Sequence, residues 1–173
     1  GRWARGRAEL VLGSTGSAGQ VVGTQVADRL SGSALGDLIT GGAGDDRIHG
    51  AGGADYLQGG QGNDEFSVAS ASTIFLNGNA GIDTVTLDFL PNDLELQTLI
   101  DHQLTNIEIF DISQPSSGRN HLTIEPRAVT RLSNSSNTLR VLMDAASDTL
   151  ILNQHWEKDF SVPGAIGLTN GYA

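Results

Sequence analysis

Glycine and aspartate recur in this chain on a nine-residue ruler, and no other feature restricts its fold as tightly. From Gly23 the sequence divides, without insertion or deletion, into GTQVADRLS, GSALGDLIT, GGAGDDRIH, GAGGADYLQ and GGQGNDEFS. Position one is always glycine and position six always aspartate: Asp28, Asp37, Asp46, Asp55 and Asp64. Position eight is always apolar: Leu30, Ile39, Ile48, Leu57 and Phe66. A sixth block, GNAGIDTVT from Gly78, restores the frame after a spacer, with Asp83 and Val85 in the same columns. An earlier stretch, STGSAGQVV from Ser14, keeps only the apolar column and reads as a cap. A fixed short period of this kind is the mark of a stacked, repeat-built architecture.

The period has a residue-level explanation. Strand side chains alternate, so positions seven to nine form a short strand whose middle side chain points inward and whose neighbours point outward. Positions one to six must reverse the chain, and glycines there admit positive φ and let carbonyls crowd around one point. Two blocks then make one coil of 18 residues. Coils stacked at roughly 4.8 Å bring Asp28, Asp46 and Asp64 into one column and Asp37 and Asp55 into another. Neighbouring carboxylates at that spacing repel by about 3 kcal/mol at an effective dielectric near 20, unless a cation sits among them. Calcium suits an all-oxygen site of aspartates and loop carbonyls, whereas magnesium demands a stricter octahedron. The alternative is a solenoid whose Gly-Asp turns hold no metal.

GGAGDDRIH and GGQGNDEFS match in full, and GAGGADYLQ with one departure, the nonapeptide GGxGxDxUx; on these residues the chain resembles the RTX (repeats-in-toxin, hemolysin-type) calcium-binding proteins. The resemblance implies an all-β fold, a right-handed parallel β-roll, with calcium held by Asp28, Asp37, Asp46, Asp55, Asp64 and Asp83. It also implies carbonyl ligands from Gly41, Gly42, Ala43 and Gly44, from Gly50, Gly52 and Gly53, and from Gly59, Gly60, Gln61 and Gly62. One ion per adjacent same-side pair gives four, and three to five are expected. Val26 and Leu35 replace the position-four glycine in the first two blocks. Such side chains tolerate positive φ poorly, so sites at that end are expected to be weaker.

Beyond the repeats, VASASTIFLNGNAGIDTVTLDFL reads as strands and turns continuing the coil. PNDLELQTLIDHQL reads as a capping helix with Leu94, Leu96, Leu99, Ile100 and Leu104 on its buried face and Pro91 before it. From Leu104, strand-like runs alternate with one short helix beginning near Pro126. The order LTNIE, DIS, NHLTI, helix, NTLRV, DTL is similar to the segment that follows the last repeats in giant type I-secreted bacterial adhesins. The expected organisation is a linker or upstream tail over 1–13, the β-roll over 14–90, and a β-rich capping region over 91–173 that precedes a secretion signal.

The remaining composition narrows the function. Twenty acidic against ten basic residues give a net charge of -10, the wrong sign for gripping nucleic acid. There is no cysteine, hence no disulfide and no thiolate site. No apolar run is long enough to span a membrane, and the opening GRWARGRAEL lacks the apolar core of a signal peptide. HExxH, GxSxG and Walker signatures are missing, which argues for a noncatalytic module. His49, His102, His121 and His155 are dispersed and read as surface residues; Asp144 and Asp148 flank a loop that either holds one more calcium or is an ordinary turn. The outward positions Arg29, Leu38, Arg47, Tyr56 and Glu65 form no uniform ladder of the sort that binds ice.

The resemblance implies a calcium-binding module that folds on meeting extracellular calcium after export by a type I machine from a Gram-negative bacterium. It also implies an extracellular or cell-surface location and a monomeric fragment. The calcium-binding tail of a secreted hydrolase or toxin, and a direct ligand-binding module, are the alternatives.

Overall fold

The computed structural model describes residues 9–11, 18–68, 75–87, 94–95, 104–113, 121–124, 132–133, 138–143, 149–152, 157–162 and 165–169. The repeats fold as the nine-residue ruler requires. Alternate blocks contribute to two facing rows of parallel strands, and the chain winds between them as a β-solenoid. One row stacks β2 (Gln20–Val22), β4 (Leu38–Ala43), β6 (Tyr56–Gln61), β8 (Phe75–Ala80) and β11 (Leu104–Thr105). The other stacks β1 (Glu9–Val11), β3 (Arg29–Ser31), β5 (Arg47–His49), β7 (Glu65–Val68), β9 (Thr84–Leu87), β12 (Ile109–Asp111) and β14 (Thr138–Leu142). Antiparallel β17 (Ala165–Thr169) and β16 (Glu157–Val162) complete that second sheet.

Register ties the sequence columns to the core. Val21, Ile39, Leu57, Leu76 and Leu104 stand opposite one another in the first sheet. Leu30, Ile48, Phe66, Val85, Phe110 and Val141 do so in the second. All eleven are buried and form one core with their neighbours. At roughly 1.5–3 kcal/mol per buried large apolar side chain, these two files supply the attraction that holds the rows together. Flanking residues alternate outward: Arg29, Leu38, Arg47, Tyr56 and Glu65 are exposed.

The coil then widens. Its first turns take 18 residues (Leu38 to Tyr56, Arg47 to Glu65) and the next takes 19 (Tyr56 to Phe75), whereas Leu76 to Leu104 takes 28. The extra length carries a third side: β10 (Leu94–Glu95), β13 (His121–Ile124) and β15 (Thr149–Leu152) form a parallel three-stranded sheet. This corrects the helix expected after Pro91, because Leu94 and Glu95 are extended and pair with Leu122 and Thr123. Leu94 and Leu96 also fit a two-residue alternation, and pairing with the new sheet settles the competition in favour of the strand. Residues 91–93 and 96–103 of that expected helix lie outside the described residues, and Leu104 is in β11. So does most of the short helix near Pro126, of which only Leu132 is described, and it is helical. Glu9–Val11, within the segment read as a tail, form β1 against β3.

Candidate metal centre

The loops joining the two rows carry the aspartates, and the strand register fixes their stacking. Asp28, Asp46, Asp64 and Asp83 each precede the first residue of β3, β5, β7 and β9, whereas Asp37 and Asp55 precede β4 and β6. All six are at most 2% exposed. Carboxylates so deeply buried need partners, and five of the six, Asp37, Asp46, Asp55, Asp64 and Asp83, find one for Oδ1 in the backbone one coil away. The amide of Asp28 donates to Asp46 Oδ1 (2.8 Å), that of Asp46 to Asp64 Oδ1 (2.9 Å), and that of Asp64 to Asp83 Oδ1 (2.8 Å). In the second column, Asp37 donates to Asp55 Oδ1 at 3.0 Å and Gly19 donates to Asp37 Oδ1 at 2.6 Å. The carboxylates therefore do not point at one another, since Oδ1 belongs to the ladder and only Oδ2 remains for other work.

What Oδ2 does separates Asp28 and Asp37 from Asp46, Asp64 and Asp83. In the first two blocks it is satisfied locally. Asp28 Oδ2 accepts from the Thr24 amide (2.5 Å) and hydroxyl (2.8 Å), and Asp37 Oδ2 accepts from the Ser33 amide (2.6 Å) and hydroxyl (2.9 Å). Asp46, Asp64 and Asp83 have a buried Oδ2 with no hydrogen-bond partner. Each orphaned oxygen faces the position-one glycine of its own block, Gly41, Gly59 or Gly78, in the space a side chain there would fill. The position-one carbonyl of the next coil faces the same space: Gly59 O at Gly41 and Gly78 O at Gly59. Gly23 and Gly32 repeat this arrangement with Gly41 O and Gly50 O, but there the carboxylate is already bonded to Thr24 or Ser33.

Among the described residues no three His, Cys, Asp or Glu side chains converge as a metal cluster. A cation here would depend on one carboxylate oxygen and backbone carbonyls at each level, the hard-oxygen donor set that suits calcium. The residues present thus fit calcium, most clearly at Asp46, Asp64 and Asp83.

The other expected carbonyl donors have mixed roles. Gly42, Gly44, Gly53, Gly60 and Gly62 have φ between 99° and 129° and let the loop double back where a Cβ would strike the coil beneath. Gln61 O accepts from Gly44 N at 2.7 Å, and Ala43 lies at the end of β4. A side chain at Gly52 would meet nothing closer than Ala34 Cα at 3.8 Å. No residue with positive φ replaces glycine at Val26 or Leu35, so those loops turn differently, with Thr24 and Ser33 bonding the aspartate.

Burial shapes the electrostatics. It pushes Asp46 up to about 6, aided by the charges of Asp64, Asp28 and Asp45 and opposed by the Asp28 amide. It likewise raises Asp55 to about 6 and Asp83 to about 7, the latter with help from Asp64 and Glu108, and it raises Asp64. Asp37 is also pushed up by burial, but hydrogen bonds from Ser33 and Gly19 outweigh this and hold it below its ordinary value.

Two features are not announced by the glycine, aspartate and apolar columns. Position five builds an outer ladder, in which Asn63 N donates to Asp45 Oδ1 and Ile82 N to Asn63 Oδ1, both at 2.8 Å. A hydroxyl stands at position two only in the two blocks that lack glycine at position four, and that pairing was the available signal for the bonded Oδ2. His49 sits half-buried with Nδ1 3.0 Å from Ser67 Oγ. His121 is in β13; His102, His155, Asp144 and Asp148 lie outside the described residues.

A family model of four RTX calcium-binding nonapeptide repeats matches residues 22–54 and again residues 31–66. Residues 22–66 are RTX calcium-binding repeats. No curated protein and no solved structure matches the chain. The RTX segment makes the chain a calcium-binding module built as a parallel β-solenoid. Among the described residues no helix is long and apolar enough to cross a membrane.

Proposed function

We propose that this module is a calcium-triggered folding unit of a type I-secreted bacterial adhesin. Asp46, Asp55, Asp64 and Asp83, with the loop carbonyls, hold most of three to five calcium ions, and Asp28 and Asp37, whose Oδ2 atoms are bonded to Thr24 and Ser33, contribute to the weaker sites at the first two blocks. The observation that carries the reading is the set of buried, unpartnered Oδ2 atoms of Asp46, Asp64 and Asp83, each facing a glycine cradle shared with a carbonyl or its equivalent on the next coil. Calcium supplies positive charge there, and because the cradle exists only once coils stack, binding and folding are one event. Extracellular calcium modules bind at about 10⁻⁴ to 10⁻³ M, so the chain stays open in a calcium-poor cytoplasm, threads an exporter, and closes outside the cell. The module is noncatalytic and extracellular in this reading. The order of LTNIE, DIS, NHLTI, NTLRV and DTL after the repeats favours an adhesin over a hydrolase or toxin tail.

Circular dichroism of the chain with EGTA and then with millimolar calcium tests the switch. A β signal that appears on calcium addition supports it, and an unchanged β signal in EGTA overturns coupled folding.

A further inference from the structure

The aspartate column does not end at the last nonapeptide. Register places Glu108 opposite Asp83, since Ile109 pairs with Thr84 and Phe110 with Val85. Glu108 is 9% exposed, and its Oε2 accepts the Asp83 amide at 2.9 Å. That is the bond Asp46, Asp64 and Asp83 make to the amide one coil below. The change from aspartate to glutamate has a geometric reason. Between paired residues Asn77 and Thr105 and the acids that follow, the nonapeptide spends five residues, Gly78 to Ile82, and the later coil only two, Asn106 and Ile107. The shorter loop sets the backbone differently, and the longer side chain brings a carboxylate to the same amide.

The cradle is reproduced as well. Asn106 takes the place of the position-one glycine with φ of 54°, a left-handed conformation asparagine accepts more readily than most residues. Its carbonyl faces the space above Gly78 together with the unpartnered, buried Oδ2 of Asp83. This repeats what Gly59 O and Asp46 Oδ2 do at Gly41, and what Gly78 O and Asp64 Oδ2 do at Gly59. Glu108 Oε1 accepts from the hydroxyl of buried Ser133 at 3.3 Å, a longer contact than the 2.8 and 2.9 Å bonds that satisfy Asp28 and Asp37, so it orients the carboxylate from the following coil.

From these juxtapositions we propose that Asp83, the Asn106 carbonyl and Glu108 form a further calcium site outside the nonapeptides, with Glu108 as its terminal carboxylate. The site lies where the coil widens, so its ion staples the repeats to the three-sided coil. The assignment rests on the calcium reading above and extends it to residues that no nonapeptide contains.

The test is calcium titration of the full chain by calorimetry, with ion counting by equilibrium dialysis, for the parent chain and Glu108→Gln. The glutamine keeps an acceptor oxygen for the Asp83 amide and removes the charge. Glu108→Gln is expected to bind one ion fewer, or to bind one ion at least tenfold more weakly, with the other sites unchanged. An unchanged count with unchanged dissociation constants overturns the assignment and leaves Glu108 as a purely structural cap. Should Glu108→Gln fail to fold, Glu108→Asp, which keeps the charge on a shorter side chain, answers in its place: one ion lost, or bound at least tenfold more weakly, supports the assignment, and an unchanged count with unchanged dissociation constants overturns it. A parent chain that binds no calcium overturns the calcium reading itself.

Discussion

At the scale of single residues, the loops ask two separate things of glycine. Gly60 needs positive φ (129°), and a side chain there would strike the Gly42 carbonyl of the coil below. Gly60→Ala therefore combines a left-handed alanine, about 1–2 kcal/mol, with a clash against backbone. It should raise the calcium concentration needed for folding several-fold, read from the midpoint of the circular dichroism titration. The aspartates differ in the opposite sense. Thr24 and Ser33 give Asp28 and Asp37 hydroxyl partners that Asp46, Asp64 and Asp83 lack. Asp64→Asn keeps an oxygen for the Asp46 amide and loses the charge, so calcium-induced folding should require at least tenfold more calcium. Asp28→Asn, whose carboxylate is already partnered, should shift that midpoint much less. Equal shifts for the two variants would show that the hydroxyl does not substitute for an ion.

At the scale of the strand and its loop, buried acids make the cation-free roll sensitive to pH in a definite direction. Asp46 and Asp55 titrate near 6 and Asp83 near 7 in the folded chain, against an ordinary 3.8. The folded state thus holds more protons than the unfolded state between about pH 4 and pH 7, and its stability falls as pH rises through that window. Asp37, held low, works the other way and only below its ordinary value. In calcium-depleted buffer the melting temperature should therefore be higher at pH 5 than at pH 7.5. With calcium present the order should reverse, because protons compete for the ligands. The strands themselves were legible because position eight had to be apolar and position six acidic at a constant interval. The interval fails after Phe66, and legibility fails with it. The 19-residue coil keeps Asp83 in its column, but the 28-residue coil introduces a third side that no periodicity announces. Leu94 suits a helical face as well as a strand because its spacing to later leucines fits either period, and only pairing with Leu122 decides. Glu108 is illegible in the sequence for a related reason: it stands 25 residues beyond Asp83, off the ruler, and carries a different side chain.

At the scale of the whole molecule, one sheet runs through everything. It passes from β1 through the repeats to β12 and β14 and ends in β17 and β16. The core is equally continuous, with Phe66, Val85, Phe110 and Val141 in a single file. In stacked architectures each coil is stabilised chiefly by its neighbours, so order propagates from one coil to the next. Calcium bound around Asp46 and Asp64 should then protect backbone amides well beyond the repeats. Two amides report on this. Arg140 N donates to Glu108 O at 2.8 Å and Ile112 N to Leu142 O at 2.9 Å, bonds that link β12 and its flanks to β14. Hydrogen exchange of the full chain should show both amides exchanging quickly in EGTA and slowing by at least tenfold in millimolar calcium, together with those of β5 and β7. Raising sodium chloride to 0.15 M should not reproduce the effect, because screening with a length of about 8 Å is too coarse for carboxylates stacked at roughly 4.8 Å and gives no ligand to a buried oxygen. If Arg140 and Ile112 were already protected in EGTA, the region beyond the repeats would fold independently of them, and calcium would order the roll alone.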